Sequence, residues 1–369
     1  MQVAVNGLNG DLFPGGDFCL PCARMVRLKE IAAAAGVSVM TVSKALRDKP
    51  DLSAATKLRI QGLAAQMGYV PDVSAQGLRN QKSRLFGLVI SAATNPINAR
   101  VMLGLEERAH ELGYDLIVSQ TLNRPEREEA VLRRLIARRA DGIFLSPVYR
   151  LEPSAPIYEE LLRRSIPVVL LGNRAPFCAS FPAVETDDQA ASAAATRHLL
   201  ELGHRRIAFF AGPRVSPQAL ERLEGYRRAH RELGCAVDDK LIFNAGTTIE
   251  EGTSAALQWI QEETGATAIQ CAHDLVAIGA ADTLLNQGFR VPGDVSIVGF
   301  GNILAAEYFR VPLTTVRQPK LRLGTVAVDV MMKVLRGESV SVQQLPAQLE
   351  VRASSGPPGS PSRSVPAGG

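Results

Sequence analysis

The sequence has few cysteines, a single tryptophan and no long apolar run. Its five cysteines are scattered and odd in number, which suits a reducing compartment better than a disulfide framework. No stretch approaches the roughly 20 apolar residues that cross a membrane. No Lys or Arg precedes Arg24, so the N-terminus lacks the basic start of a secretion signal. We therefore expect a cytoplasmic protein that does not associate with a membrane.

The sequence also lacks the motifs of common catalytic and metal sites. It contains no Walker loop, no H-E-x-x-H and no G-x-S-x-G, and Gly299-Phe300-Gly301 lacks the third glycine of a dinucleotide fingerprint. The five histidines show no metal-ligand spacing, and Cys19-x-x-Cys22 lacks the second ligand pair of a zinc site. We predict no catalytic residue, no metal and no cofactor, and hence a protein that is not an enzyme.

What the sequence does have is an uneven distribution of charge. The 369 residues carry a formal net charge of +4. Residues 25–84 alone hold ten Lys or Arg against four Asp or Glu, a net charge of +6, which leaves −2 for the remainder. A basic segment attached to a near-neutral body is typical of a protein that binds the phosphate backbone of DNA.

Residues 28–46 have the pattern of two short helices joined by a tight turn. Apolar residues recur at helical spacing on the first helix: Leu28, Ile31, Ala32 and Ala35. Gly36 can adopt the left-handed conformation that ends a helix, and Ser38 is a natural N-cap for the next. This pattern predicts a helix-turn-helix, whose second helix enters the DNA major groove. The alternative is an ordinary helical hairpin with a solvated outer face.

The outer face of the second helix supplies the predicted DNA contacts. They are Ser38, Val39, Met40, Thr41, Ser43, Lys44 and Arg47. Val39 and Met40 can touch thymine methyl groups but cannot form bidentate hydrogen bonds with bases. Lys44 is therefore expected to make more of the polar base contact.

From Leu85 onward, strand-like and helix-like runs alternate. The apolar strands form two series, LFGLVIS, YDLIVS, DGIFLS and PVVLL in the first, and RIAFF, TAIQCA and VSIVGF in the second. Such alternation predicts parallel sheets with helices on both faces. Two series predict two similar lobes, with a ligand bound where the carboxyl ends of the strands meet.

Three motifs in order carry a resemblance to a known family. They are GVSVMTVSKAL (36–46), YVPDVSAQGLR (69–79) and LFGLVIS (85–91). Residues 26–352 resemble the lactose-repressor (LacI/GalR) family of bacterial transcription regulators. The resemblance implies an all-α helix-turn-helix head and an α/β, two-lobed, periplasmic-binding-protein-like effector domain. It also implies a regulator, predicted to be a repressor, that binds a near-palindromic double-stranded operator as a homodimer, at the bacterial nucleoid, under the control of a small-molecule effector.

The resemblance also assigns roles to single residues. Leu78, with Arg79 beside it, is expected to contact DNA from a short hinge helix, with Leu78 as a wedge in the minor groove. The expected effector contacts are Asn95, Asn173, Arg222, His273 and Asp274. His273 replaces the Asn usual in its segment. Each of the others has a structural alternative: a turn for the two asparagines, a helix cap for Asp274 and a solvated helix face for Arg222.

One departure from the family affects the expected ligand. Gly301 stands where the family usually carries an acidic residue just after V-G-F/Y. That residue contacts the effector in sugar- and purine-responsive members. The resemblance therefore predicts a cleft for a sugar-like or other metabolite without identifying it.

These observations divide the chain into five predicted segments. They are a disordered extension (1–24), the helix-turn-helix domain (25–70), the hinge helix and linker (71–84), the effector-binding and dimerisation domain (85–352) and a disordered tail (353–369). Met25 is an alternative start of translation. The rival predictions are a periplasmic-type solute-binding protein, which would not need residues 25–84, and a sugar-modifying enzyme, which would need an acid/base pair.

Overall fold

A computed structural model describes residues 26–70 and 83–359 of the chain. Contacts within the chain separate two units, Met1–Arg79 and Asn80–Gly369. The first unit is called the head below and the second the body. Within the described residues, no helix is long and apolar enough to cross a membrane.

The described residues of the head form three helices. They are α1 (Leu28–Ala35), α2 (Val39–Leu46) and α3 (Ala54–Gln66). Gly36 ends α1 in the left-handed region, with a φ of 65°, which costs glycine little because it has no Cβ. Ser38 begins α2, since its hydroxyl accepts the backbone N–H of Thr41 at 3.1 Å.

The head has a small apolar core. Its fully buried side chains come from all three helices: Ile31, Val42, Ala45 and Ile60. They are the residues that helical spacing placed on the inner faces. A core of this size stabilises a short domain only modestly.

The body contains twelve strands among its described residues. In chain order they are β1 (Leu85–Ile90), β2 (Asp115–Gln120), β3 (Gly142–Leu145), β4 (Val168–Leu171), β5 (Ala183–Thr186), β6 (Ile207–Ala211), β7 (Ile242–Asn244), β8 (Ala268–Cys271), β9 (Ser296–Gly301), β10 (Thr314–Arg317), β11 (Gln343–Leu345) and β12 (Gln348–Glu350). They form two six-stranded sheets of matching order, β11-β5-β4-β3-β1-β2 and β12-β10-β9-β8-β6-β7. All described pairings are parallel except β10 with β12.

Helices cover both faces of each sheet, so each sheet with its helices is one lobe. In chain order the helices are α4 (Pro96–Glu111), α5 (Pro125–Ala137), α6 (Pro156–Arg163), α7 (Asp188–Glu201), α8 (Pro217–Glu232), α9 (Ile249–Gln261), α10 (Asp274–Asn286), α11 (Leu304–Glu307) and α12 (Lys320–Leu335). Helices α4, α5, α6 and α12 belong to the first lobe and the others to the second. The two predicted lobes with parallel sheets are confirmed.

The chain passes between the lobes at three places. It crosses from β5 into α7, from β10 into α12, and from β11 into β12. The second crossing contains Gln318 and Pro319, which follow β10 directly. The carboxyl ends of both sheets therefore face one interlobe cleft.

The predicted start of the disordered tail at residue 353 is wrong for residues 353–359. Ser354 is fully buried, and its carbonyl oxygen accepts the N–H of Ile297 at 2.7 Å. Its hydroxyl accepts the N–H of Thr314 at 2.8 Å. The segment is poor in apolar residues, but hydrogen bonds to the second sheet hold it instead. Residues 360–369 lie outside the described part.

Candidate DNA-reading face and ligand cleft

The outer face of α2 presents the side chains that the sequence assigned to DNA. Met40 is 68% exposed and Val39 is 45% exposed, although both are apolar. The hydroxyls of Ser38 and Thr41 lie 2.9 Å apart at the start of the helix. Two exposed apolar side chains on the rim of a small domain are costly in water, so this face is suited to contact a partner.

The basic side chains of this face lie along the head and are held by exposed polar contacts. Lys44 forms an ion pair with Asp51. Arg47 donates from Nε to the carbonyl oxygen of Ser43 at 2.9 Å and from Nη2 to its hydroxyl at 2.8 Å. Exposed pairs of this kind are weak, so a phosphate or a base can displace them. The other two predicted contacts, Leu78 and Arg79, lie outside the described residues.

A cavity of about 500 Å³ lies between the lobes of the body. All five residues predicted to contact the effector line it: Asn95, Asn173, Arg222, His273 and Asp274. The polar groups that the first lobe contributes, beside apolar side chains, are mostly uncharged, among them Ser91, Asn98, Asn123 and Ser146. A volume of this size is typical of small-molecule sites.

The two predicted asparagines have different roles at the cavity wall. Asn95 is the N-cap of α4, since its Oδ1 accepts the N–H of Ile97 at 2.9 Å. Asn173 follows β4 and is 3% exposed. Its Nδ2 makes no hydrogen bond of normal length and angle within the described residues. Asn173 therefore has a donor to offer, whereas the side-chain oxygen of Asn95 is already used.

Arg222 is the centre of a buried polar network in the second lobe. Its Nε and Nη2 donate to Oδ2 of Asp188 at 2.9 and 2.7 Å. Its Nη1 donates to the carbonyl oxygen of Ala272 at 2.6 Å and to Nδ1 of His273 at 3.2 Å. The guanidinium also lies over the Phe300 ring, 3.9 Å from its centroid. Four of its five N–H groups are thus engaged within the protein.

His273 is held neutral by this network. Burial, together with the charge of Arg222, lowers the pKa of His273 to about 3. Because Arg222 only donates, Nδ1 of His273 must be the acceptor, which places the ring proton on Nε2. His273 therefore offers an N–H and no charge to the cavity.

Asp274 is similarly engaged by the fold. Its Oδ2 accepts the N–H of Ile303 at 2.9 Å, and its Oδ1 accepts the hydroxyl of Thr315 at 2.5 Å. Burial raises the pKa of Asp274, and these hydrogen bonds and the charge of Lys320 oppose that rise. The carboxylate thus anchors the start of α10 to two neighbouring segments of the second lobe.

Gly301 has a structural reason to be glycine. Its φ is +137°, a region that side chains rarely adopt. A Cβ there would lie 3.2 Å from Cδ1 of Ile97 and 3.3 Å from Oδ2 of Asp274. An acidic side chain at this position would start beside the Asp274 carboxylate.

Three acidic residues near the cavity were missed by sequence reasoning. Asp188 carries the ion pair with Arg222, Glu185 lines the cavity from β5, and Glu221 lies beside Arg222 on α8. Burial, and then the charges of Asp188 and Glu185, raise the pKa of Glu221 to about 7. The signal was the acid-rich run Glu185-Thr-Asp-Asp188, which begins within β5, a strand that is too short and polar to recognise by pattern.

The lobes are also joined by a hydrogen-bonded chain at the cavity. The hydroxyl of Tyr149 donates to the carbonyl oxygen of Asn173 at 2.7 Å and accepts from Nε2 of Gln218 at 2.8 Å. Tyr149 and Asn173 belong to the first lobe, and Gln218 to the second. Within residues 26–70 and 83–359, no group of three or more His, Cys, Asp or Glu is placed to hold a metal ion.

Comparison with known proteins matches both units. Residues 27–72 match the bacterial regulatory proteins of the lacI family, and residues 196–355 match a periplasmic binding protein-like domain. The chain is 30% identical to the HTH-type transcriptional repressor PurR of Photobacterium profundum, over 85% of this chain and 93% of that protein. It is 31% identical to the HTH-type transcriptional repressor CytR of Escherichia coli, over 85% and 91% respectively.

Solved structures give the same result. The lac repressor dimer bound to operator and the anti-inducer ONPF aligns with a TM-score of 0.80 at 26% identity, covering 90% of this chain and 99% of that one. The complex of the transcriptional regulator CelR with cellobiose aligns with a TM-score of 0.68 at 28% identity, covering 89% and 100%.

Proposed function

This chain belongs to the lacI family of bacterial regulatory proteins, and we propose that it is a repressor that binds operator DNA as a homodimer and responds to a small molecule in the interlobe cleft. In this proposal the protein has no catalytic activity. It acts on DNA in the cytoplasm. The observation that carries it is the exposed outer face of α2 on a net basic head. A solute-binding protein has no use for such a head.

Different side chains of the head would supply affinity for DNA and recognition of its sequence. Lys and Arg side chains of residues 25–84 would neutralise phosphates, which carries no sequence information. Met40 and Val39 would touch base methyl groups, and Lys44 would leave Asp51 to donate to a base edge. A homodimer presents two such helices, which predicts a near-palindromic operator with half-sites spaced by helical turns.

The body would supply regulation. A ligand that fills the cavity contacts both lobes, so it favours the lobe arrangement that it fits best. Leu78 and Arg79, at the junction of the two units, would pass this preference to the head. By reciprocity, operator binding would change ligand affinity by the same factor.

A pair of exposed side chains on the head tests the DNA-reading face. Met40→Ala should weaken operator binding about tenfold, because an apolar base contact is removed. Leu58→Ala is the matched control, since Leu58 is 70% exposed on α3 and lies outside the predicted contacts. Operator dissociation constants measured for both variants show whether Met40 contacts DNA. Equal affinities for the two variants would remove Met40 from the reading face.

A further inference from the structure

The charges at the cavity wall indicate what kind of ligand it takes. Among the described residues that line the cavity, the charged ones are Glu185, Arg222 and Asp274. Arg222 is neutralised by its ion pair with Asp188, and Asp274 lies within the field of Lys320. The side chain of Glu185 makes no ion pair or hydrogen bond with any described residue. The cavity therefore has an anionic wall with no cation left free for an anionic ligand.

Glu221 adds to this anionic character. It is partly buried on α8, close enough to Glu185 and Asp188 for their charges to act on it. The one cation that acts on Glu185 is Arg174, which is exposed and forms no ion pair with it in the described part of the body. Partly buried carboxylates without ion pairs oppose folding, and such groups cluster at functional sites.

Asn173 gives a second and independent observation. Its side chain is almost fully buried at the cavity wall, and its Nδ2 makes no hydrogen bond of normal geometry with the described residues. The Asn173 side chain does lie close enough to the Glu221 carboxylate to oppose the rise in the pKa of that group. Leu171 pairs with Val184 in the neighbouring strand, so Asn173 and Glu185 follow at the same edge of the first sheet. A buried amide donor without a hydrogen-bond acceptor is unfavourable, and a ligand oxygen at that place would satisfy it.

We infer that the cleft binds a hydroxylated amine of the amino-sugar class, with its ammonium group held by Glu185 at the cavity wall and a neighbouring oxygen accepting from Nδ2 of Asn173. The inference rests on the proposed function only in taking this cavity as the effector site. The remaining wall of the first lobe suits hydroxyl groups, since it offers uncharged amides and hydroxyls: Ser91, Asn98, Asn123 and Ser146.

A charge series on one scaffold tests the inference. Binding of glucosamine, galactosamine and mannosamine to the full chain is measured by calorimetry beside the parent hexoses, the N-acetyl derivatives and the hexuronates. At least one hexosamine should bind, and its parent hexose and N-acetyl derivative should each bind at least tenfold more weakly, because they lack the cation. Binding by none of the three hexosamines overturns the inference, as does a hexose, N-acetyl derivative or hexuronate that binds as tightly.

Variants then locate the site. Glu185→Gln should weaken hexosamine binding at least tenfold while changing the affinity for the parent hexose by less than threefold. Glu224→Gln is the matched control, since Glu224 lies on α8 and pairs with the exposed Arg231. Equal hexosamine affinity in Glu185→Gln and the unmodified chain overturns the assignment. Competition of Mg²⁺ alone with the hexosamine would also overturn the assignment.

Operator binding separates this inference from the proposed function. If a neutral or anionic compound changes operator affinity through the cleft, the regulator stands and only the amine inference fails. If a hexosamine binds through Glu185 but leaves operator affinity unchanged, the inference stands and the regulatory part of the proposed function fails.

Discussion

The two lobes of the body share one strand order but present different walls to the cavity. In the second lobe the wall is charged, and its side chains Arg222, His273 and Asp274 all form hydrogen bonds within their own lobe. In the first lobe the wall is mostly neutral, and its acidic residue, Glu185, and the amide nitrogen of Asn173 make no ion pair or hydrogen bond of normal geometry with the described residues. The polar groups of the second-lobe wall are thus engaged within the protein, whereas those of the first-lobe wall are in part available to a ligand. Shared topology does not bring shared chemistry.

The largest effect should come from breaking the buried hydrogen-bond network of the second-lobe wall. Arg222→Ala leaves the fully buried Asp188 without its cation, which should lower the free energy of unfolding by about 3–5 kcal/mol. Arg231→Ala, on the same helix, removes only an exposed pair with Glu224 and should cost less than about 1 kcal/mol. Chemical denaturation measures both. Similar losses would show that the buried network does not stabilise the second lobe.

A second substitution adds an acidic side chain to the second-lobe wall. Gly301→Asp imposes backbone strain and places a carboxylate beside Asp274, which should cost about 2–4 kcal/mol. Gly301→Ala carries the strain alone and should cost about 1–3 kcal/mol. The difference between the two in thermal unfolding reports the charge repulsion. If the aspartate variant were as stable as the alanine variant, Asp274 would tolerate an acid at this position.

The smallest effect concerns Glu221, the partly buried acidic residue beside Arg222 on α8. The pKa of Glu221 is raised to about 7 in the folded protein, so its protonation favours the folded state. Glu221→Gln, which mimics the protonated form, should therefore stabilise the protein by about 1–2 kcal/mol at pH 8, a figure reduced for partial exposure. The gain should shrink as pH falls through 7 and vanish near 4.5. Unfolding curves from pH 4.5 to 8 test this, and a gain independent of pH would contradict it.

The head was the more predictable unit because its signals are local. The apolar spacing of Ile31 and Val42, the glycine at 36 and the cap at Ser38 each act within a few residues. The longer strands of the body were predicted for the same reason, since they are continuous apolar runs. The missed strands β5, β7, β10, β11 and β12 are three or four residues long and carry too few apolar residues to form a pattern.

The cavity was predictable only in part because its chemistry depends on distant pairs. The five predicted residues do line it, and their effector contacts stay predictions. Nothing near Arg222 in sequence shows that Asp188 would occupy its guanidinium, since the two residues lie 34 positions apart. The carboxylates of Glu185 and Glu221 become notable only in the fold, which brings them close to each other and to Asp188 and forms no ion pair with either of them among the described residues. The same holds for Ser354, whose bonds come from residues 40 or more positions away.

The most direct test of the regulator assignment is a footprint of the full chain on the promoter nearest its own gene, recorded at increasing salt. We expect two protected half-sites of near-palindromic sequence, centred about one helical turn or a multiple of it apart. Affinity should fall by about a thousandfold or more between 50 and 200 mM salt, because the basic head releases counterions from the phosphates. Protection of a single unsymmetrical site, or an affinity that does not change with salt, would contradict the account.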